Sequence, residues 1–356
     1  MTRKALILGA TGSIGTTFFS AYRRLKPELS IAGVASFSSP SLVDLASEFS
    51  CPYCYSDSSD IKAFISNTDA DIVLNGISGS EGLKATLYAL ESGKDVALAN
   101  KESIVMGGRW LLEKADALGR RIIPVDSEHS AIYSLLRSRD AERLIITASG
   151  GPFFNRKDLS SVTVEEALNH PTWKMGKKIT IDSASLANKG LEVIEASYLF
   201  DFPADRIDVV IHRQSIVHSM IQTRENAVYA QLSKPDMALP IISALTEGLP
   251  GSEDIVKPLD FRNLELTFSS WDKTQFPMLG YAYDALRMGG FYPIAYNAAD
   301  EIAVNAFING RIAFCDIPMT VRHVLDHDFS GRIVDLDSIM EMDAEARRLA
   351  SEEIDA

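Results

Sequence analysis

Three groups of residues in this 356-residue chain have types and spacings suited to chemistry on a small anionic molecule. The first is Asp126-Ser127-Glu128-His129, just past a short apolar run. In an extended chain side chains repeat with period 2, so Asp126 and Glu128 point to one side. Two carboxylates at a strand end can hold a hard divalent cation; a solvated acidic turn has the same pattern. The second group runs from Asp182 to Glu192 and contains Ser183, Ser185, Asn188 and Lys189. Asn188 and Glu192 are spaced i, i+4 and Lys189 and Glu192 i, i+3, so one helical face carries an amide, an ammonium and a carboxylate. An ordinary surface ion pair shares that spacing. The third is Thr147-Ala148-Ser149-Gly150-Gly151-Pro152-Phe153, a hydroxyl beside glycine amides of the kind that cradle an anion. It is followed by His170-Pro171-Thr172-Trp173-Lys174-Met175-Gly176-Lys177-Lys178, where a tryptophan among lysines reads as a lid over a ligand.

A fourth feature lies at the start of the chain. Gly9-Ala10-Thr11-Gly12-Ser13-Ile14-Gly15 follows a compact apolar strand and opens a helix. Small residues there let the backbone approach a pyrophosphate, and the helix N-terminus supplies N–H groups and the positive end of its dipole. A purely structural strand–helix turn is the competing reading. An NAD site usually carries Asp or Glu about 20 residues beyond the glycines. Here that place is Ala35-Ser36-Phe37-Ser38-Ser39, with no acid before Asp44 and no Arg or Lys either. NADP is therefore mildly favoured.

These groups need a framework. Apolar runs at 4–8, 30–35, 71–75, 95–99 and 121–125 alternate with helical patterns, which predicts a parallel sheet covered on both faces. We therefore expect an α/β chain. It has a Rossmann-like nucleotide-binding domain over 1–125 and an α+β catalytic domain over 126–248, with a mobile lid at about 152–178. A linker over 249–272 and a helical C-terminal domain over 273–356 follow. Strands near 209–220 and 227–232 read as antiparallel, and helices are expected over 275–288, 293–309 and 337–354.

Composition narrows the function. The net charge of −13 opposes non-specific binding to nucleic acid or to an anionic membrane. No apolar run approaches the ~18 residues of a membrane span. The run behind the basic start, Ala5–Leu8, is shorter than the ~7–15 residues of a signal-peptide core. Three cysteines provide no disulfide framework, so a reduced, cytoplasmic setting is expected. Cys51-Pro52-Tyr53-Cys54 has zinc or redox spacing but lacks a second ligand pair.

The strings GATGSIG from Gly9, ALANKES from Ala97, DSEH from Asp126, SGGPF from Ser149, HPTWKMG from His170 and DSASLANKGLE from Asp182 resemble the 1-deoxy-D-xylulose-5-phosphate reductoisomerase family. So do QSIVHSM from Gln214, KPDM from Lys234, VKPLDF from Val256 and NAADE from Asn297, all in family order. The resemblance implies a homodimer of three-part subunits. It also implies rearrangement of 1-deoxy-D-xylulose 5-phosphate, then reduction by NADPH to 2-C-methyl-D-erythritol 4-phosphate, an isoprenoid precursor. By the same resemblance Asp126, Glu128 and Glu192 bind Mg²⁺ or Mn²⁺, with Lys101, Glu128 and Glu192 catalytic. Lys101 and Ser127 contact the substrate backbone; Ser149, His170, Ser183 (Ser185 being the weaker match), Asn188 and Lys189 hold its phosphate. Trp173 and Met175 cap it. Thr11, Gly12, Ser13, Ile14, Asn100, Glu102 and Gly176 line the cofactor site. His129 and His218 match family histidines, and the reading preferred for each is a core hydrogen-bonding residue.

Two departures stand out: Ser36-Phe37-Ser38 replaces the family's Gly-Lys/Arg-Asn, and His212-Arg213-Gln214 replaces its His-Pro-Gln. The first bears on selectivity for NADP; the second implies a local backbone difference. A semialdehyde dehydrogenase sharing the glycine turn needs a nucleophilic cysteine, and Cys315 lacks the surroundings for one. A nucleotide sensor has no use for the three carboxylates and Lys189.

Overall fold

The computed structural model describes residues 2–56, 60–170, 172–173, 175–247 and 254–356. Pro171 and Lys174 of the expected lid, and residues 249–253 of the expected linker, lie outside these. The chain divides into two compact units: 1–104, 111–134 and 236–260 in the first, 105–110, 135–235 and 261–356 in the second.

In the first unit β1 (Arg3–Leu8), α1 (Ser13–Leu25), β2 (Leu29–Ser36), α2 (Ser41–Phe49), β3 (Tyr53–Tyr55), α3 (Ile61–Asn67), β4 (Ile72–Asn75), α4 (Glu81–Glu91), β5 (Asp95–Leu98), α5 (Lys101–Ala117) and β6 (Ile122–Pro124) alternate. The strands form one parallel sheet in the order β3-β2-β1-β4-β5-β6. Ala5–Leu8 and Ile72–Leu74 are fully buried, which is why these strands read as continuous apolar runs. The order reverses between β1 and β4, the crevice where open α/β sheets bind ligands. Short β3 has no counterpart in the sequence reading; its Tyr53 is exposed, and so few residues make a weak pattern. Cys54 sits in that strand, and among the described residues none of Cys51, Cys54 and Cys315 forms a disulfide.

One local expectation is corrected. Ser127 is not extended: it opens α6 (Ser127–Leu136), with Glu128 in the first turn. Asp126 Oδ1 accepts from the Ser127 N–H at 3.0 Å and its carbonyl accepts from Ser130 N–H at 2.8 Å, so Asp126 caps the helix.

The second unit is built on a mixed sheet of β7 (Arg143–Ala148), β8 (Ile207–Ile211), β9 (Val217–Gln222) and β10 (Val228–Leu232), ordered β10-β9-β7-β8. β8 runs parallel to β7, against the antiparallel expectation, while β9 and β10 are antiparallel. The parallel step is made possible by the long crossover through α7 (Val164–Leu168), α8 (Lys177–Ser185) and α9 (Ala187–Phe200).

α10 (Ala238–Thr246) lies in the first unit, although the sequence reading placed it in the catalytic domain. Its Ala238, Ile241, Ile242 and Leu245 join the core of Ile7, Phe18, Leu74 and Val125. Periodicity shows that a helix has an apolar face but not which sheet that face covers. α11 (Pro277–Met288), α12 (Tyr292–Ile308), α13 (Asp316–Leu325) and α14 (Leu336–Asp355) follow, and they share the second unit with the β7–β10 sheet. α11 packs on α9 and α12 on α8 and α9. Gly190 makes this close approach possible, since a Cβ there would lie 2.6 Å from the Tyr296 hydroxyl. Between α8 and α12, Lys178 Nζ donates to Asp182 Oδ2 at 2.7 Å and to fully buried Asp300 Oδ2 at 2.8 Å. That contact ties the NAADE segment to the first turn of α8.

Candidate active site

In the first unit the glycine turn sits at the carboxyl ends of β1 and β4. Gly9 has φ +73°, and a Cβ there would lie 2.5 Å from the Gly76 carbonyl oxygen, so only glycine fits. Gly12 is the N-cap of α1, makes no side-chain capping bond, and is followed by a first turn without acidic residues. Thr11, Gly12, Ser13 and Ile14 therefore flank a helix N-terminus suited to a dinucleotide's pyrophosphate. Thr11 Oγ1 and Ser36 Oγ hydrogen-bond at 2.5 Å, while Phe37 beyond them is exposed.

Asn100 and Lys101 stand where β5 gives way to α5. Asn100 caps that helix: its Oδ1 accepts from Ser103 N–H at 2.9 Å, and its Nδ2 donates to Gly79 O and to Glu102 Oε2. Lys101, 5% exposed, pairs with Asp126 Oδ2 at 2.7 Å, joining the ends of neighbouring β5 and β6. Ser127 Oγ donates to Glu128 Oε2 at 2.5 Å. Lys101, Asp126, Ser127 and Glu128 thus form one polar cluster. His129 is fully buried, with Nδ1 3.8 Å from Asp126 Oδ2.

In the second unit α8 and α9 are separated at Leu186, a buried residue in the left-handed region at φ +62°. Such strain in a buried non-glycine residue persists where its surroundings enforce it. Just beyond it Asn188 Nδ2 donates to Glu192 Oε1 at 2.6 Å and Lys189 Nζ to Glu192 Oε2 at 2.7 Å. All three are buried, Glu192 to 1% exposure, so the surface ion-pair alternative fails. A buried carboxylate of this kind is tolerable because both oxygens are bonded and a cation compensates its charge.

The Ser149–Gly151 loop follows β7, and both glycines have positive φ, +78° and +62°. A Cβ on Gly151 would lie 2.6 Å from the Ser183 carbonyl oxygen, so the loop packs directly on α8. Ser149 Oγ lies 3.0 Å from His170 Nε2. His170 Nδ1 accepts from the N–H groups of Thr172 (3.1 Å) and Trp173 (2.9 Å), which assigns its proton to Nε2. Burial, with the charges of Arg213 and Lys189 nearby, lowers the imidazole pKa to about 4, so His170 is neutral at pH 7. Trp173 and Met175 are half-buried, and exposed Gly176 caps α8. Ser185 Oγ donates within its own helix to Asp182 O at 3.2 Å. His218 bonds Ser233 and packs near Trp173.

Arg213, marked in the sequence only as a departure with a local backbone difference, reaches the Ser149–Gly151 loop. Its Nη1 donates to the Ser149 and Gly151 carbonyl oxygens at 2.7 and 2.6 Å. No local pattern announces this contact, because the partners are more than 60 residues apart.

The donor set fits the expected groups. Asp126, Glu128 and Glu192 offer only carboxylate oxygens, as a hard divalent ion requires.

Comparison with known proteins identifies the family. Residues 44–108 match the family model described as 1-deoxy-D-xylulose 5-phosphate reductoisomerase. Residues 122–200 and 232–349 match two models of that enzyme's C-terminal domain. The reductoisomerase of Treponema denticola is 43% identical, covering 98% of this chain and 96% of that protein. That of Pseudarthrobacter chlorophenolicus is 50% identical over 83% of this chain and 76% of its own length. A DOX-P reductoisomerase crystallised with NADPH, fosmidomycin and magnesium superposes with a TM-score of 0.91 at 35% identity, covering 99% of this chain and 98% of that one. The Zymomonas mobilis enzyme in complex with NADPH gives 0.86 at 34% identity, with both chains fully covered. The turn at Gly9, the cluster around Lys101 and the buried Asn188–Lys189–Glu192 group thus have their explanation: this chain belongs to the 1-deoxy-D-xylulose 5-phosphate reductoisomerase family.

Proposed function

We propose that Asp126, Glu128 and Glu192 hold a divalent ion in this enzyme, which rearranges 1-deoxy-D-xylulose 5-phosphate and reduces the product with NADPH to 2-C-methyl-D-erythritol 4-phosphate. The observation that carries the assignment is Glu192, a buried carboxylate bonded by both Asn188 and Lys189. Magnesium, which the crystallised relatives contain, would supply a Lewis acid to the substrate's oxygens there; we assign Mn²⁺ as an alternative.

The chain's own residues supply binding and order. Lys101 neutralises Asp126 and reaches the oxygenated substrate backbone together with Ser127 and Glu128. Lys189, Asn188, Ser149, Ser183 and neutral His170 grip the phosphate, His170 through its Nε2–H. Trp173 and Met175 close over the substrate as the segment 152–178 folds down, excluding water. Gly176, Asn100, Glu102 and the turn Thr11–Ile14 hold NADPH. The first unit serves the cofactor and the second the phosphate and the lid.

We also propose a cytoplasmic homodimer. Among the described residues no helix is long and apolar enough to cross a membrane and no cysteine forms a disulfide. Edge strand β10, with Val228 and Tyr229 exposed, offers its outer backbone edge to a second copy. Sedimentation at twice the chain mass of 39.0 kDa is expected; a monomer at assay concentration contradicts it.

The activity test is oxidation of NADPH on adding 1-deoxy-D-xylulose 5-phosphate with Mg²⁺, Mn²⁺ or a chelator, repeated with NADH. Metal-dependent oxidation with NADPH preferred is expected. A folded protein that binds NADPH yet oxidises neither cofactor overturns the assignment in favour of a nucleotide sensor.

A further inference from the structure

β7 and β8 are parallel neighbours, so the segments leaving their carboxyl ends lie side by side. One is the Ser149–Gly151 loop; the other is the turn His212–Ile216, anchored by the His212 N–H on the Ala148 carbonyl at 2.7 Å. His212 is fully buried and spans that turn. Its Nδ1 donates to Thr267 O at 2.9 Å, and its Nε2 accepts from the N–H groups of Ile216 and Val217 at 3.2 and 3.1 Å. The ring also stacks on Phe268 with centroids 4.8 Å apart. The backbone that carries Arg213 is therefore rigid.

From this base the Arg213 guanidinium lies over the Phe154 ring, 5.7 Å from its centroid, and bonds the carbonyl oxygens on either side of Gly150. A trans peptide is planar with its C=O and N–H opposed. Holding the Ser149 carbonyl toward the guanidinium consequently turns the Gly150 N–H the other way. Both glycines have positive φ and carry no side chain, so within the loop only the Ser149 Oγ, accepting from the Gly151 N–H at 3.3 Å, supports the arrangement that Arg213 braces from outside.

We propose that Arg213 is a positioning residue for the substrate's phosphate: it locks the Ser149–Gly151 loop so that the Ser149 hydroxyl and the Gly150 amide are ordered before the anion arrives. The inference rests on the reading that Ser149, His170 and Lys189 form the phosphate grip. Arg213 directs its Nη1 to the two carbonyls and acts through the loop. Pre-ordering a loop raises affinity by removing the entropy cost of fixing it on binding.

The groups facing His170 are Ser149, the Thr172 and Trp173 amides, Arg213 and Lys189. Arg213→Met thus has two linked consequences. The KM for 1-deoxy-D-xylulose 5-phosphate rises about tenfold with kcat and the NADPH KM within about twofold, the scale of one ordered loop contact. In the ligand-free protein the His170 imidazole, followed by NMR with ¹³C-labelled histidine, titrates above about 4, because one repelling cation is gone while burial remains. Arg213→Lys keeps the charge on a stem one bond shorter, so its ammonium falls short of the two carbonyl oxygens that the Arg213 Nη1 holds. It leaves the His170 titration in place yet still raises the substrate KM, and it remains informative should the Met variant not fold. An unchanged substrate KM in Arg213→Lys, or a parallel loss of substrate and NADPH affinity in either variant, overturns the proposal. The phosphate reading is tested separately by Lys189→Ala: its failure shows there, and the failure of this proposal shows in Arg213.

Discussion

Glu192→Gln is expected to lower kcat by about 1,000-fold or more while NADPH affinity, read by fluorescence titration, stays within about twofold. The loss follows from two facts. Both Glu192 oxygens accept from cationic or amide donors, Lys189 at 2.7 Å and Asn188 at 2.6 Å, in a place that is 1% exposed. Glutamine keeps the shape but sets an NH₂ against one of those donors and removes the negative charge. Disrupting one member of a buried charge pair costs about 3–5 kcal/mol, or roughly two to four powers of ten in rate. Part of that cost falls on folding, so thermal unfolding must accompany the kinetics. Unimpaired turnover in the Gln variant, with ordinary dependence on Mg²⁺, shows that the ion is held elsewhere.

Lys189→Ala is expected to raise the KM for the phosphorylated substrate by about 100-fold, with NADPH binding nearly unchanged. Lys189 is 7% exposed, and its ammonium is one of the charges felt by His170. Truncating a buried hydrogen-bonded cation costs about 2–5 kcal/mol. Glu192 then loses its partner, so kcat falls as well, but less than kcat/KM. A comparable loss of affinity for substrate and cofactor removes the phosphate assignment. Inorganic phosphate as a competitor separates the two roles: it weakens in parallel with substrate if Lys189 meets the phosphate, and keeps its affinity if Lys189 serves Glu192 alone.

The local parts of this protein were legible from its residues. The apolar run before Gly9, the small residues of the turn and the helix behind it are governed by contacts a few residues apart. So is the face shared by Asn188, Lys189 and Glu192, where helical spacing alone brings the side chains together. The three large C-terminal helices fell within about two residues of their expected ends, because their apolar faces repeat over several turns.

What the tertiary structure decided lies where partners are distant. The extended reading of Asp126 failed because a helix begins at Ser127, and Asp126 caps it; period-2 spacing over three residues cannot exclude a cap. β8 turned out parallel to β7 because a strand's direction depends on the crossover before it, not on its own side chains. α10 left the catalytic segment for the first sheet, and Lys178 found Asp300 122 residues away. Arg213 found the Ser149 carbonyl across 64. Backbone sterics and side-chain periodicity act within a turn or two and can be read in one dimension. The choice of a distant partner is settled by competition among all buried surfaces and charges for the same neighbours, and only the folded chain resolves it.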